Sequence, residues 1–318
     1  MGYQNFFIRD MTGGKGFIGM AAATIGGASP LLSAIFAYVF GFADAVTNYS
    51  KLMITDAQFL AAMPYMITVV LIFIMAGGFL AGFVDSIAGG GGLVSLPVLM
   101  AAGLPPHLAL GTNKFSATFG AVMSAWQFFK AGKVDRHLMK RALPCTFIGA
   151  VLGCLVMLHM SAEWLQPLII LSLMAAAVVV FTRRNLGSVN TYAGETGRNL
   201  ILTALFAGAI GFYDGFAGPG TGTFLIVAFA ALGFDFVTAA GNAKMLNLMS
   251  NITAFVILVW SGTILYVYGV VMALCIFTGA FFGSRLAIRR GTGFVRVVML
   301  VVTAALIGKL GLSYFGIL

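Results

Sequence analysis

Residues 85–95 read DSIAGGGGLVS. An aspartate and four consecutive glycines stand inside a long apolar run. A carboxylate there is costly, and a glycine cluster interrupts a helix. The stretch recurs. Gly82-Phe83-Val84-Asp85-Ser86-Ile87-Ala88-Gly89-Gly90-Gly91 aligns with Gly211-Phe212-Tyr213-Asp214-Gly215-Phe216-Ala217-Gly218-Pro219-Gly220, identical at six of ten positions. The match continues at Leu96 with Leu225, Val98 with Val227 and Ala101-Ala102 with Ala230-Ala231. After a one-residue shift, Gly111-Thr112-Asn113-Lys114 aligns with Gly241-Asn242-Ala243-Lys244, and Gly132 with Gly262. This is a duplication, and transporters are commonly built from two such halves.

The composition says where such a chain resides. Of 318 residues, 60% are hydrophobic and 8% charged, whereas a soluble domain carries about a quarter charged residues. Apolar runs of spanning length recur throughout, which predicts an all-α polytopic membrane protein. The runs do not alternate as the strands of a membrane barrel would. The net charge of +9 is no nucleic-acid signal, because the basic residues fall in short patches between apolar runs, as the positive-inside rule expects. Cys145, Cys154 and Cys275 have no metal-ligand spacing and read as packing residues. The first 16 residues are too polar, and in the wrong order, for a cleavable signal peptide.

A pass along the chain divides it into an extension with an extra membrane helix (1–60), a first repeat (61–185) and a second (186–318), all one membrane domain. The first apolar stretch covers 17–46, with breaks at Gly26-Gly27 and Ser29-Pro30, and a polar loop follows over 47–58. Residues 64–84 can span. After the glycines only 93–104 is apolar, with Pro97 inside and Pro105-Pro106 at its end. At ~1.5 Å per residue this piece covers under two thirds of a ~30 Å hydrocarbon core. It reads as a half-helix or re-entrant segment. Residues 115–129, 142–158 and 165–181 are further apolar segments.

Charge orients the halves. The patch from Lys130 through Lys133, Arg136, Lys140 and Arg141 should be cytoplasmic, as should Arg183, Arg184 and Arg198, and Arg285, Arg289 and Arg290. The second-half equivalent of the first patch, residues 261–268, is uncharged and should be external. The halves are then inverted-topology repeats, with broken helices at their glycine-rich motifs. Arg9 and Lys15 place the amino terminus inside, and the carboxyl terminus falls outside.

Inverted-repeat transporters bind substrate where broken helices from the two halves meet. Irregular backbone at membrane depth is tolerated only where it is buried or lines a cavity. Half-helices starting near Leu93 and Gly222 would aim uncovered N–H groups and positive dipole ends at the break, which suits an anion. The substrate candidates are Gly89, Gly90, Gly91, Gly92, Gly218, Gly220 and Gly222, with the hydroxyls of Ser95, Thr221 and Thr223. The competing explanation is close helix packing, of which Gly78 and Gly82 are a small-xxx-small example. Asp85 and Asp214, just before each break, either cap their own loops or carry a coupling proton. Lys114 and Lys244 either supply positive charge to an anion or snorkel to an interface. Asn113, Asn242, Asn247 and Asn251 add uncharged donors, and Asn247 and Asn251 share a helix face. His107, His137 and His159 read as interfacial or loop residues. Trp126, Trp164, Trp260, Tyr266 and Tyr268 fit aromatic belts. The run AGPGTGT lacks the Gly-Lys-Ser/Thr of a nucleotide loop. No metal or cofactor is expected, and no hydrolytic cluster supports an enzyme.

At these residues the chain resembles a known family. GFVDSIAGGGGLVSLPVLMAAGLPPHLALGTNK, and its counterpart GFYDGFAGPGTGTFLIVAFAALGFDFVTAAGNAK, are similar to the signatures of the sulfite exporter TauE/SafE family, within the toluene sulfonate uptake permease superfamily. The resemblance covers residues 65–312; the first 60 residues depart from the usual pattern. It implies multi-pass transport in a bacterial cytoplasmic membrane. Its substrates would be small anions such as sulfite, thiosulfate, sulfonates or related carboxylates. The combined expectation is an alternating-access permease, with proton coupling as an option. A channel-like anion pore and a non-transporting scaffold or lipid-binding protein are the alternatives.

Overall fold

The computed structural model describes residues 22–23, 30–50, 57–161, 163, 190–192, 194, 196–298 and 301. The expected span at 165–181, Trp164, Arg183, Arg184 and both termini with Arg9 and Lys15 lie outside the described residues. Every regular element described is an α-helix. They are α1 (Pro30–Ser50), α2 (Ala57–Ala88), α3 (Gly92–Ala101), α4 (Pro106–Lys130), α5 (Arg136–His159), α6 (Gly197–Phe216), α7 (Thr221–Ala231), α8 (Phe236–Trp260) and α9 (Tyr266–Arg290). Among the described residues, five helices are long and apolar enough to cross a membrane: Tyr65–Ala88, Arg136–His159, Gly197–Phe216, Phe236–Trp260 and Tyr266–Arg290. The chain is an all-α polytopic membrane protein. It divides into two compact units, Met1–Phe73 and Ile74–Leu318. The first holds α1 and the opening turns of α2. The second holds the rest of α2, all of α3 to α9 and the site described below.

Within the second unit the element order repeats: long, short, long, long, as α2–α5 and again as α6–α9. The local causes are plain. Both short helices begin at the glycine breaks. α4 opens on Pro106 at its first turn, where a missing N–H costs nothing. Asp235 caps α8 by accepting from the N–H groups of Val237 and Thr238, and Asp135 caps α5 through His137 and Leu138. Two boundaries differ from the sequence reading. α2 begins at Ala57 rather than Pro64, since Leu60, Ala61, Ala62 and Met63 are good helix formers that continue the helix upstream. α4 begins at Pro106 rather than Phe115, so Thr112, Asn113 and Lys114, which precede the apolar run, lie inside the helix and are buried. They face protein rather than lipid, which is why polarity did not stop the helix.

The halves grip each other reciprocally. A side chain on Gly82 of α2 would meet the backbone of Ile276 on α9, and one on Gly279 or Gly283 of α9 would meet Phe79 or Phe83. The equivalent residues repeat the pattern: Gly211 of α6 lies against Thr146 of α5, and Gly149 and Gly153 of α5 against Gly208 and Phe212. Backbones approach this closely only through glycine, and small residues drive helix association in lipid. The packing role proposed for Gly78 and Gly82 is therefore real: a side chain on Gly78 would meet Met272 and Cys275. α4 and α8 pair in the same reciprocal way. Thr112 Oγ1 accepts from the N–H of Leu265 at 3.0 Å, and Asn242 Oδ1 accepts from the N–H of Asp135 at 2.8 Å. The start of α4 thus lies at the end of α8, and the start of α8 at the end of α4. The two helices run antiparallel, the arrangement inverted halves predict.

Candidate functional site

The two helix breaks meet backbone to backbone. Gly89 and Gly218 are equivalent residues with φ of 77° and 82°, a left-handed conformation that turns the chain sharply and favours glycine. A Cβ on Gly222 would lie 2.5 Å from Gly89 Cα, so the crossing itself requires both glycines. Thr223 Oγ1 ties it by donating to the Ala88 carbonyl at 2.9 Å. Thr221 Oγ1 donates to the Gly218 carbonyl at 2.8 Å, and Gly220 caps α7 with a φ of 78°. Tyr213 stitches the second break from outside, its hydroxyl donating to the Pro219 carbonyl at 2.6 Å.

Beside this crossing lies a small cavity of about 30 Å³, space for two or three waters. The first half contributes Asp85, Gly89, Gly91, Gly92, Ser95, Asn113 and Lys114. The second contributes Asp214, Gly218, Gly222, Asn247 and Asn251, and Ala81, Ala117 and Ile276 complete it. Residues from α2, α3, α4, α6, α8 and both breaks therefore converge, far apart in sequence though they are. Gly90, Gly220, Thr221, Thr223, Asn242 and Lys244 do not line it. Asn242, in the second turn of α8, is turned to the N–H of Asp135, and the two threonine hydroxyls are engaged with backbone carbonyls.

The four charges form two ion pairs that cross between the halves. Lys114 Nζ donates to Asp214 Oδ1 at 2.7 Å, and Lys244 Nζ donates to Asp85 Oδ2 at 2.6 Å. Neither lysine snorkels: both side chains are almost wholly buried. Nor is either lysine a bare cation awaiting an anion, since each is already neutralised by the opposite half. The quartet sums to zero charge, as burial demands.

The pairs are not equal. Asp214 also accepts from Asn247 Nδ2 at 3.3 Å and from Ser250 Oγ, so side chains alone saturate it, and its own side chain is 2% exposed. Asp85 is 21% exposed and caps its own loop, accepting from the Gly91 N–H at 3.0 Å. The capping reading thus holds for Asp85 and not for Asp214. The residues of α4 equivalent to Asn247 and Ser250 are Ala117 and Gly120, which carry no donor. Ser95 Oγ donates to Asn113 Oδ1, linking α3 to α4 beside the cavity. Ser250 was missed in the sequence. Its signal was the spacing Lys244, Asn247, Ser250, Asn251, a polar stripe at helical period on an otherwise apolar helix.

The family model of the sulfite exporter TauE/SafE matches residues 73–310. A probable membrane transporter protein, ORF9, of a Sinorhizobium species is 36% identical over 240 residues, covering 74% of this chain and 90% of its own. The probable membrane transporter protein YfcA of Escherichia coli K12 is 36% identical over 232 residues, 73% of this chain and 86% of its own. A sulfite exporter TauE/SafE family protein 5 of Arabidopsis thaliana is 30% identical over 117 residues, 36% of this chain and 24% of its own. No solved structure matches the chain.

Proposed function

This chain belongs to the sulfite exporter TauE/SafE family, and we propose that it is an alternating-access transporter of a small sulfur-containing anion, coupled to protons through Asp85. The reading places it in a bacterial cytoplasmic membrane. The observation that carries it is the pair of crossed ion pairs, Lys114–Asp214 and Lys244–Asp85, beside one polar cavity. Four buried charges are a poor way to stabilise a membrane protein, because apolar residues of like size do as well or better. Ionisable groups kept at such depth mark a substrate or ion path.

The electrostatics suggest how coupling works. The quartet by itself is neutral. A monovalent anion that enters alone would leave the buried site charged, whereas a monovalent anion with one proton leaves it neutral again. Of the two carboxylates, Asp85 is the one able to exchange that proton. It faces the cavity with part of its surface open, and among the described residues its only donors are Lys244 and the Gly91 N–H. The other titratable groups around it are Lys244 on α8, Lys114 on α4 and Asp214 on α6. Proton binding would free the Gly91 N–H, which lines the cavity, for an oxyanion and leave the charge of Lys244 behind Asp85 uncompensated. Asp214, held by three side chains, keeps Lys114 in place.

Reconstituted in proteoliposomes, the protein should accumulate sulfite or an organosulfonate against its gradient when a pH gradient is imposed. Asp85→Asn should abolish that accumulation while keeping exchange of labelled for unlabelled anion. Absence of flux for every sulfur oxyanion would sink the substrate claim, and flux that neither saturates nor responds to pH would favour a pore. Topology is tested apart. Single cysteines at Ala131 and Ser261, both exposed in a background freed of native cysteines, should label from opposite faces. Labelling from one face would remove the inverted repeat.

A further inference from the structure

The C-terminal turns of α4 and α9 enclose a groove of about 350 Å³ remote from the ion pairs. Trp126, Lys130, Phe281, Arg285, Ile288 and Arg289 are among its walls. Gln127 knits its floor, Nε2 donating to the Phe281 carbonyl at 3.1 Å. Two cations are held by aromatic rings: Lys130 Nζ lies 5.2 Å from the Trp126 ring centre, and the Arg285 guanidinium 5.9 Å from that of Phe281. Among the described residues no carboxylate lines the groove, and the two ion pairs found, Lys114–Asp214 and Lys244–Asp85, are elsewhere. Among the described residues, the three cations are therefore concentrated without a protein anion opposite them. Two helix C-termini end here, and their partial negative charges of about half a unit each offset only part of that excess.

We infer that this groove binds one anionic phospholipid, its phosphate among Lys130, Arg285 and Arg289 and its acyl chains along the apolar surface below. Each part of the site matches a part of that ligand. The cations take the phosphate. Trp126, 53% exposed, sits where an interfacial aromatic belt is expected. Toward the bundle centre the lipid-facing surface is apolar, with Val122, Phe277 and Phe282 all exposed. A soluble phosphate would use only the rim, so the apolar continuation favours a lipid over a free ion. Basic pockets between membrane helices on the cytoplasmic side are suited to such headgroups, and two of the three basic patches expected on that side meet in this groove. The lipid would fasten α4 of the first half to α9 of the second.

The test uses the purified full chain in detergent and measures its unfolding midpoint against added phosphatidylglycerol, phosphatidylcholine or inorganic phosphate. Phosphatidylglycerol should stabilise saturably, and the other two should not. Each basic side chain near an anionic headgroup is worth roughly fivefold in affinity. Lys130→Gln with Arg285→Gln should therefore weaken the phosphatidylglycerol response by about thirtyfold. Lys140→Gln with Arg198→Gln, which removes the same charge elsewhere, should leave it unchanged. Equal stabilisation by phosphatidylcholine, full stabilisation by phosphate alone, or equal loss in the two double variants would overturn the proposal. If the groove variant fails to fold, the wild-type comparison of the three additives still decides.

Discussion

Lys114→Met should cut transport to about a hundredth of wild type or less and destabilise the fold by about 3–5 kcal/mol. The lysine is 3% exposed and its ammonium lies 2.7 Å from Asp214. Removing it leaves an unpaired carboxylate among Asn247 and Ser250, where desolvation is not offset. The companion experiment separates stability from transport. Lys114→Met with Asp214→Leu removes both charges, so most of the stability should return, because a neutral apolar pair costs little where an ion pair was buried. Transport should stay lost. Thermal unfolding and proteoliposome flux, measured on the two single variants and the double, give the coupling between the residues directly. A Lys114→Met protein as stable and active as wild type would show that the pair is incidental.

Gly89→Ala should be among the most damaging single methyl additions in the chain, at about 3–5 kcal/mol of lost stability and complete loss of flux. Two costs combine. The residue has a φ of 77°, disfavoured for any side chain by about 1–3 kcal/mol. Its Cβ would also overlap the backbone of Gly222 and Thr223, which no flexible side-chain end can relieve. Gly103→Ala separates the terms. Gly103 has a φ of 90° but nothing within 4 Å of an added Cβ, so only the conformational cost remains, about 1–2 kcal/mol. Comparing the unfolding midpoints of the two variants isolates the helix crossing. Equal effects would mean that the crossing is loose.

The residues that were legible in advance are those whose signal is local or repeated. Asp85 and Asp214 were conspicuous because carboxylates are rare in apolar runs. The short helices α3 and α7 were legible because glycine, proline and length punctuate them. Asn247 and Asn251 were grouped by helical spacing, and both line the cavity. The errors have one cause. Asn242 belongs to the motif that matches that of Lys114, but its side chain, two residues before Lys244, is turned to the N–H of Asp135. Thr221 and Thr223 were counted as substrate donors because they follow a break, yet neighbouring carbonyls claim their hydroxyls. The repeat alignment gives equivalence between halves and says nothing of which residue faces which.

By itself, then, the sequence determined that the chain lives in a bilayer, and it displayed two copies of one motif, each breaking a helix beside an aspartate and carrying a lysine further on. Those follow from hydropathy, repetition and the cost of a charge in lipid, all of which are properties of composition along the chain. Only the tertiary structure decided the pairing. Asp85 finds Lys244 and Asp214 finds Lys114 because the first half's helices pack on the second half's, through glycine contacts whose partners no one-dimensional pattern specifies. The same packing made the two aspartates unequal. Asn247 and Ser250 surround one, while Ala117 and Gly120 stand at the matching places by the other. A carboxylate's role depends on the donors within about 3 Å of it, and those were set when the halves came together.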